Sequence, residues 1–130
     1  MDLLLDTHAF IWFDLSPEKL SDVALDAFMN ENNTLYISIV SLWEMQIKQQ
    51  LGKLSLDGGV EGTFDKQRQC NNVRLLSMKP EHITTLQSLE DHHRDPFDRM
   101  LISQARTEDI ILVTADKHIH SYKSQVELLW

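Results

Sequence analysis

Short apolar runs alternate with longer segments of helical periodicity along the whole chain. The first run consists of leucines, and others are rich in β-branched and aromatic residues, a composition that predicts buried strands. Strands separated by helical segments are typical of parallel β–α–β units, so the pattern predicts an α/β sandwich. The apolar runs are LLL at 3–5, TLYISIV at 34–40, VRLLSM at 73–78, IILVT at 110–114 and VELLW at 126–130.

Capping residues locate the helices between these runs. Ser16, followed by a proline, predicts the start of a helix over residues 16–32. Ser41 and Glu44 have the spacing of a capping box and predict the start of another helix, which should end near Gly52. Further helices are predicted near 61–72, over 79–93, from Pro96 onward and over 116–122.

Length and composition narrow the class of protein. A chain of 130 residues fits one domain over residues 1–130. The single cysteine, Cys70, cannot form an intramolecular disulfide, which favours a reducing compartment and a cytoplasmic location. The N-terminus lacks the pattern of a signal peptide, and no run approaches the roughly 18 apolar residues of a membrane span. A net charge of −8 mildly disfavours a protein that holds nucleic acid by bulk electrostatics.

Two acids follow predicted strands. Asp6 comes directly after the first strand, and Asp116 lies two residues beyond the IILVT run. Ligands of open parallel sheets bind outside the carboxyl ends of the strands, so both carboxylates should reach the same edge of the sheet. The alternative for each is a simple helix N-cap, which explains the residue type but not the convergence.

Two further acids head the apolar stripes of predicted helices. At about 100° per residue, Leu101, Ile102 and Ala105 lie within roughly 60° of Asp98, and Glu44 is placed similarly in its own helix. A buried carboxylate needs hydrogen bonds, a cation or a metal ion. The alternative is again capping, since each acid lies three residues after a potential cap, Ser41 or Asp95. Four such acids together favour one shared site over four independent caps.

A cluster of carboxylates predicts a divalent cation. Like charges repel at short range unless a cation intervenes, and an all-oxygen ligand set favours Mg²⁺ or Mn²⁺. Such ions hold water and phosphate oxygens together in phosphodiester hydrolysis. The predicted catalytic and metal-binding residues are Asp6, Glu44, Asp98 and Asp116, and the candidates for contacts with the other phosphates of a nucleic-acid substrate are Arg94, Arg99, Lys48, Lys53 and Lys117.

The histidines near these acids do not have zinc-site spacing. His118 and His120 lie two residues apart, on different helix faces, and the chain has no His-Glu-x-x-His motif. A zinc-centred site is therefore disfavoured, and we expect surface or RNA-facing histidines. The tryptophans Trp12 and Trp43 lie among apolar residues and are expected in the core. The histidines in question are His8, His92, His93, His118 and His120.

Four motifs follow one another in order and span nearly the whole chain: LLLDTHAFIW, SIVSLWEMQIKQQLGKL, HHRDPFDRMLISQA and ILVTADKHI. Together they resemble the PIN-domain ribonucleases, specifically the VapC-type toxins of bacterial toxin–antitoxin pairs. The resemblance implies a three-layer α/β/α sandwich with a mainly parallel sheet. It implies endonucleolytic RNA cleavage with Mg²⁺ or Mn²⁺ as cofactor, leaving 5′-phosphate and 3′-hydroxyl products. It also implies a homodimer and inhibition by a cognate antitoxin.

The same resemblance assigns residues. By their motifs, Asp6, Glu44, Asp98 and Asp116 match the first to fourth family acids. Thr114 matches a hydroxyl position that precedes the last acid, which makes it an auxiliary candidate. Asp95, one helical turn before Asp98, is a candidate N-cap and an auxiliary candidate as an outer metal contact.

Two other function classes remain open at this stage. An aspartyl-phosphate phosphatase also uses an acid after its first strand, but its Asp-x-Asp-x-Thr motif is absent because His8 stands at the second acid position. A non-catalytic partner-binding module on the same fold has no need of four acids, and all four are present here.

Overall fold

A sheet of five parallel strands forms the centre of the computed structural model, which describes all residues from Met1 to Trp130. Numbered along the chain, the strands lie side by side in the order third, second, first, fourth, fifth, and every neighbouring pair is parallel. Each of the five apolar runs contributes one strand. The strands are β1 (Asp2–Leu5), β2 (Thr34–Ser38), β3 (Arg74–Leu76), β4 (Ile111–Val113) and β5 (Leu128–Leu129).

Seven α-helices connect and cover the strands. Two short 3-10 turns, Pro17–Lys19 and Leu86–Ser88, supplement them. No helix combines the length and the apolar character needed to cross a membrane. The helices are α1 (Thr7–Leu15), α2 (Asp22–Met29), α3 (Ile39–Gln50), α4 (Gly59–Asn71), α5 (Pro80–Thr85), α6 (Pro96–Glu108) and α7 (Lys117–His120).

Helices cover both faces of the sheet. The side chains of Leu3 and Leu5 pack into one apolar cluster with α1, α2 and α4, whereas Leu4 packs into a second cluster with α6 and α7. This alternation follows from the two-residue period of a strand. All three leucines are fully buried, as expected for the central strand of a parallel sheet covered on both faces. The result is the predicted three-layer α/β/α sandwich.

The strand order creates a crevice at the carboxyl edge of the sheet. From β1 the chain moves outward through β2 to β3, then returns to β4 on the other side of β1. In the register, Leu5 at the end of β1 lies between Ile37 of β2 and Val113 of β4. The direction of winding therefore reverses between β1 and β4, and such a switch point is where open α/β sheets bind ligands.

The helix predicted over residues 16–32 is divided in two, so that prediction was wrong in extent. After the 3-10 turn at Pro17–Lys19, Leu20 is extended and buried. The side chain of Ser21 then accepts a hydrogen bond from the Ala24 N–H and caps α2, whereas the Ser16 side chain makes no capping bond. A second serine and the burial of Leu20 thus interrupt the helix.

The capping box predicted at Ser41 and Glu44 was also wrong. Helix α3 begins three residues earlier, and its cap is Ser38, whose hydroxyl accepts a hydrogen bond from the Val40 N–H. The strand passes into the helix without a loop, so the β-branched residues after Ser38 resemble a longer strand. The predicted stop is confirmed, because α3 ends at Gln50 and Gly52 follows with φ +73°.

The helix predicted over residues 79–93 is shorter than expected. Helix α5 ends at Thr85, and after the turn at Leu86–Ser88 the residue Leu89 becomes extended and enters the second apolar cluster. Residues 90–95 then form an irregular loop before α6.

An aromatic side chain expected in the core is exposed. Trp43, on α3, is 59% exposed and packs edge-to-face against Phe97 at a ring distance of 5.1 Å. Together with Met78 and Leu86 these rings line an apolar groove of about 400 Å³, here called the Trp43 groove. Trp12, by contrast, is partly buried against the first cluster.

Candidate functional site

Helix N-termini surround the crevice at the carboxyl edge of the sheet. Helices α1 and α3 directly follow β1 and β2, α7 follows β4, and α6 starts at the same edge before it leads back to β4. Each N-terminus carries partial positive charge. Asp6 and Asp116 are the N-caps of α1 and α7, Asp98 lies in the first turn of α6, and Glu44 lies in the second turn of α3.

Thr114 links the two acids that follow strands. Asp6 is buried, and its Oδ1 accepts a hydrogen bond from the Ala9 N–H at 2.7 Å. Its Oδ2 accepts one from the Thr114 hydroxyl, and the same hydroxyl oxygen accepts the backbone N–H of Asp116 at 3.0 Å. Capping and convergence are therefore not alternatives here, since both acids cap helices and both face the crevice.

Glu44 is held by two partners that are not caps. Its Oε1 accepts a hydrogen bond from the Thr7 hydroxyl at 2.6 Å, and its Oε2 pairs with Lys48 Nζ at 3.0 Å. The buried Ser41 hydroxyl lies 3.0 Å from the Thr7 oxygen and extends this network. The carboxylate is fixed between α1 and α3, with only 11% of its side chain exposed.

A histidine contacts the third acid. Asp95 is the N-cap of α6, and its Oδ1 accepts hydrogen bonds from the N–H groups of Phe97 and Asp98. Asp95 therefore caps the helix and Asp98 does not. The Asp98 Oδ2 atom lies 2.7 Å from His93 Nε2. The His93 ring stacks on His118 at 5.1 Å with an interplanar angle of 12°. His93, expected either at the surface or facing RNA, is half-buried against the site.

One cluster of possible metal ligands consists of His93, Asp98 and Asp116, whose ligand atoms all lie within 4.8 Å of one another. Asp6 and Glu44 are not part of this cluster. They are nevertheless close enough that the charges of Glu44 and Asp116 act on Asp6, and the charge of Glu44 acts on Asp98. The structure thus brings the four predicted acids to one crevice and adds a histidine.

Burial disfavours the charged forms of two of these acids. Desolvation raises the pKa of Asp6 to about 6, against the opposing hydrogen bonds from Thr114 and Ala9, and the charges of Asp116 and Glu44 raise it further. Desolvation likewise raises the pKa of Asp98 to about 6 despite its hydrogen bond to His93. Excess negative charge is therefore costly in this crevice, and a bound cation would relieve that cost.

The predicted phosphate-contacting residues differ in their surroundings. Lys48 pairs with Glu44, and the Arg99 guanidinium donates to the Tyr122 hydroxyl at 2.9 Å and the Glu90 carbonyl at 3.0 Å. These contacts give both side chains a role within the protein, which disfavours their role as phosphate contacts. The remaining candidates, Arg94, Lys53 and Lys117, are exposed.

Three functional side chains escaped prediction from the sequence. Thr7 follows Asp6 in the first motif, but its contact with Glu44 depends on how α1 and α3 pack. His93 lies at the start of the motif that contains Asp98, but no pattern indicates that this loop folds back onto the acid. Tyr122 is fully buried, and its hydroxyl accepts the backbone N–H groups of His92 and His93, which fixes this loop.

Comparison with known proteins identifies a family. A family model described as PIN domain matches residues 3–124. Ribonuclease VapC22 from Mycobacterium tuberculosis is 25% identical over 122 residues, which make up 93% of this chain and 92% of that protein.

Solved structures share the fold. VapBC2 from Rickettsia felis, bound to a DNA fragment from its promoter, superposes with a TM-score of 0.72 at 16% identity over 99% of this chain and 98% of that chain. DNA-bound VapBC from Salmonella typhimurium superposes with a TM-score of 0.70 at 14% identity over 99% of this chain and 97% of that chain. These likenesses confirm the predicted fold class.

Proposed function

This chain belongs to the PIN-domain family, and we propose on that premise that it is an endoribonuclease of the VapC type, the toxin of a toxin–antitoxin pair acting in the cytoplasm. The observation that carries the proposal is the meeting of Asp6, Glu44, Asp98 and Asp116 at the switch point of the sheet. The similarity to a protein named as a ribonuclease supports the same reaction class.

The donor set fits a divalent cation. Four carboxylates and one imidazole face the crevice, and both raised pKa values show that negative charge is costly there without a cation. We propose that the four acids hold Mg²⁺ or Mn²⁺. Bound there, the ion would lower the pKa of water and neutralise charge on the phosphate.

The chain's own residues organise the rest of the reaction. The Thr7 and Thr114 hydroxyls hold Glu44 and Asp6 in fixed orientations. One of the carboxylates at the crevice would accept the proton of the attacking water. Water attack at the phosphodiester would leave 5′-phosphate and 3′-hydroxyl ends, as in the family that the sequence resembles.

The purified protein should cleave single-stranded RNA with Mg²⁺ or Mn²⁺ and lose this activity in EDTA, because carboxylates alone cannot neutralise the phosphate. Excess Mg²⁺ should restore cleavage, whereas Zn²⁺ in place of Mg²⁺ should support little cleavage. The assay follows fragment formation from a labelled RNA on denaturing gels. Glu44→Gln protein, purified in parallel, controls for contaminating nucleases and should be inactive. Equal cleavage in EDTA and Mg²⁺ would remove the metal mechanism.

We also propose a homodimer and a protein inhibitor as partners. The solved relatives are complexes named VapBC, and the acidic chain, with its net charge of −8, suits a basic partner. A cognate antitoxin would place an Arg or Lys over the acidic crevice. The exposed Trp43 groove offers apolar surface for the second copy.

Sedimentation should show a dimer at micromolar concentration, and Trp43→Glu should shift it toward monomer because a charge enters an apolar interface. Val23→Glu is the matched control, since Val23 is similarly exposed at 52% but lies on α2.

Co-expression with the adjacent gene should yield a complex whose RNA cleavage is suppressed. A monomeric wild-type protein without a co-purifying partner would contradict this assembly.

The phosphatase alternative finds no support in the structure. His8, which occupies the second acid position of that motif, is exposed and lies against the Trp12 ring at 5.8 Å.

A further inference from the structure

His93 occupies a position that the all-carboxylate site does not explain. Its Nε2 lies 2.7 Å from Asp98 Oδ2, and its ligand atom lies within 4.8 Å of those of both Asp98 and Asp116. Two atoms bound to one ion are at most about 4.2 Å apart when each bond is about 2.1 Å long. Small side-chain rotations would therefore let all three residues bind a single ion.

The His93 ring is held where it is. The backbone N–H of His93 donates to the Tyr122 hydroxyl at 3.0 Å, and its carbonyl accepts from Arg99 at 3.3 Å. On its open side the ring stacks on His118. Its side chain is only 16% exposed. The fold therefore already restricts the conformations of this ring, and little further conformational freedom would be lost if it bound an ion.

The neighbouring histidines do not share this placement. His92, the preceding residue, turns its ring to Glu90 at the surface and packs against Tyr122. The ring of His120 faces the Thr114 carbonyl at 2.8 Å. Among the histidines of this region, only His93 belongs to the cluster with Asp98 and Asp116.

We infer that His93 is a nitrogen ligand of the metal ion in this site, and that it gives the site a preference for transition-metal ions over Mg²⁺. Oxygen ligands suit Mg²⁺, whereas imidazole raises affinity for Co²⁺, Zn²⁺ and, less strongly, Mn²⁺. An ion bound to His93 Nε2 would replace the hydrogen bond from His93 to Asp98, and the neutral ring would then carry its proton on Nδ1. Asp98 and Asp116 supply the adjacent oxygen ligands.

Metal affinity separates ligation from mere positioning of Asp98. In calorimetric titrations of tag-free protein, His93→Gln should weaken Co²⁺ binding by an order of magnitude or more while Mg²⁺ binding changes little, because the lost ligand is a nitrogen donor. A residue that only orients Asp98 would weaken both ions equally, and that result would overturn the inference. His92→Gln is the matched control and should leave both affinities unchanged.

Spectroscopy gives an independent readout. The spin echo of the Mn²⁺-loaded wild-type protein should show the ¹⁴N modulation of a directly bound imidazole, and His93→Gln should lose it. Because this role rests on the proposed function, RNA cleavage with Mg²⁺ is measured on the same samples. Active protein without ¹⁴N modulation would overturn the role of His93 alone, whereas protein that binds no divalent ion would overturn both.

Discussion

Asp98→Asn should lower the rate of RNA cleavage by orders of magnitude and leave the metal-free protein as stable as the wild type, or more stable. The amide keeps the shape of the carboxyl group and can still accept the hydrogen bond from His93. The substitution removes the negative charge of the Asp98 carboxyl group, whose pKa is raised to about 6, largely by burial. If Asp98 is a metal ligand, the lost charge weakens metal binding while relieving repulsion in the apo-protein.

Asp95→Asn is the control within the same motif. Asp95 caps α6 through hydrogen bonds from Phe97 and Asp98, and asparagine caps helices about as well as aspartate. This variant should keep most of its activity. Cleavage rates at saturating Mg²⁺ and melting temperatures in EDTA are compared for both proteins. A fully active Asp98→Asn protein would exclude Asp98 from the site, whatever the family relationship implies.

The positions of the strands could be predicted because burial on both faces of a parallel sheet leaves a direct mark in the sequence. The three leucines of β1 illustrate this, since alternate side chains enter different apolar clusters. The convergence of Asp6 and Asp116 also followed from sequence, because both residues come after strands of one parallel sheet. Neither inference required knowledge of how the helices pack.

The start of α3 could not be predicted from local spacing. Ser38 rather than Ser41 caps α3 because the chain turns from strand to helix without a loop, and spacing alone cannot distinguish the two serines.

Contacts between distant segments were not predictable either. The partner of Glu44 is Thr7, which lies 37 residues away in the chain. His93 reaches Asp98 because the distant Tyr122 hydroxyl holds the loop before α6. Each contact joins elements whose relative placement only the tertiary fold defines.

These contacts concern the environment of the acids rather than their identity. Thr7 holds Glu44, His93 contacts Asp98, and Thr114, an auxiliary candidate already from its motif, contacts both Asp6 and Asp116. The hydrogen bonds from Thr114 and His93 also oppose the rise in the pKa values of Asp6 and Asp98, which composition and spacing could not indicate. The sequence therefore indicated which residues meet, and the structure shows how costly their charges are when they do.

Because the buried charge of Asp6 is costly, we expect it to destabilise the metal-free protein and to stabilise the protein when Mg²⁺ is bound. Folding raises the pKa of Asp6 from 3.8 to about 6, so between these pH values the folded state binds more protons than the unfolded state. The contribution of Asp6 to the free energy of unfolding should consequently fall as pH rises from about 4 to 6 and remain lower above pH 6. A shift of about two pKa units corresponds to a loss of up to about 3 kcal/mol.

Asp6→Asn should therefore stabilise the metal-free protein above pH 6 but not near pH 4. The amide can still accept the Ala9 N–H, although its NH₂ group disturbs the hydrogen bond with Thr114 at a cost of about 1 kcal/mol. A net gain of up to about 2 kcal/mol remains at pH 7.5 and becomes a small loss at pH 4. Denaturant unfolding in EDTA at both pH values measures this difference, with the variant at pH 4 as its own control.

Magnesium should reverse the order of stability at pH 7.5. An ion that binds only the folded state adds RT ln(1 + [Mg²⁺]/Kd) to the free energy of unfolding, and this gain requires the charge that Asp6→Asn removes. The wild type should then gain stability with rising Mg²⁺ while the variant gains little, and RNA cleavage by the variant should fall by orders of magnitude. A stability difference that stays constant with pH in EDTA would show that the Asp6 pKa is not raised. Equal stabilisation of both proteins by Mg²⁺ would show that Asp6 does not bind the ion.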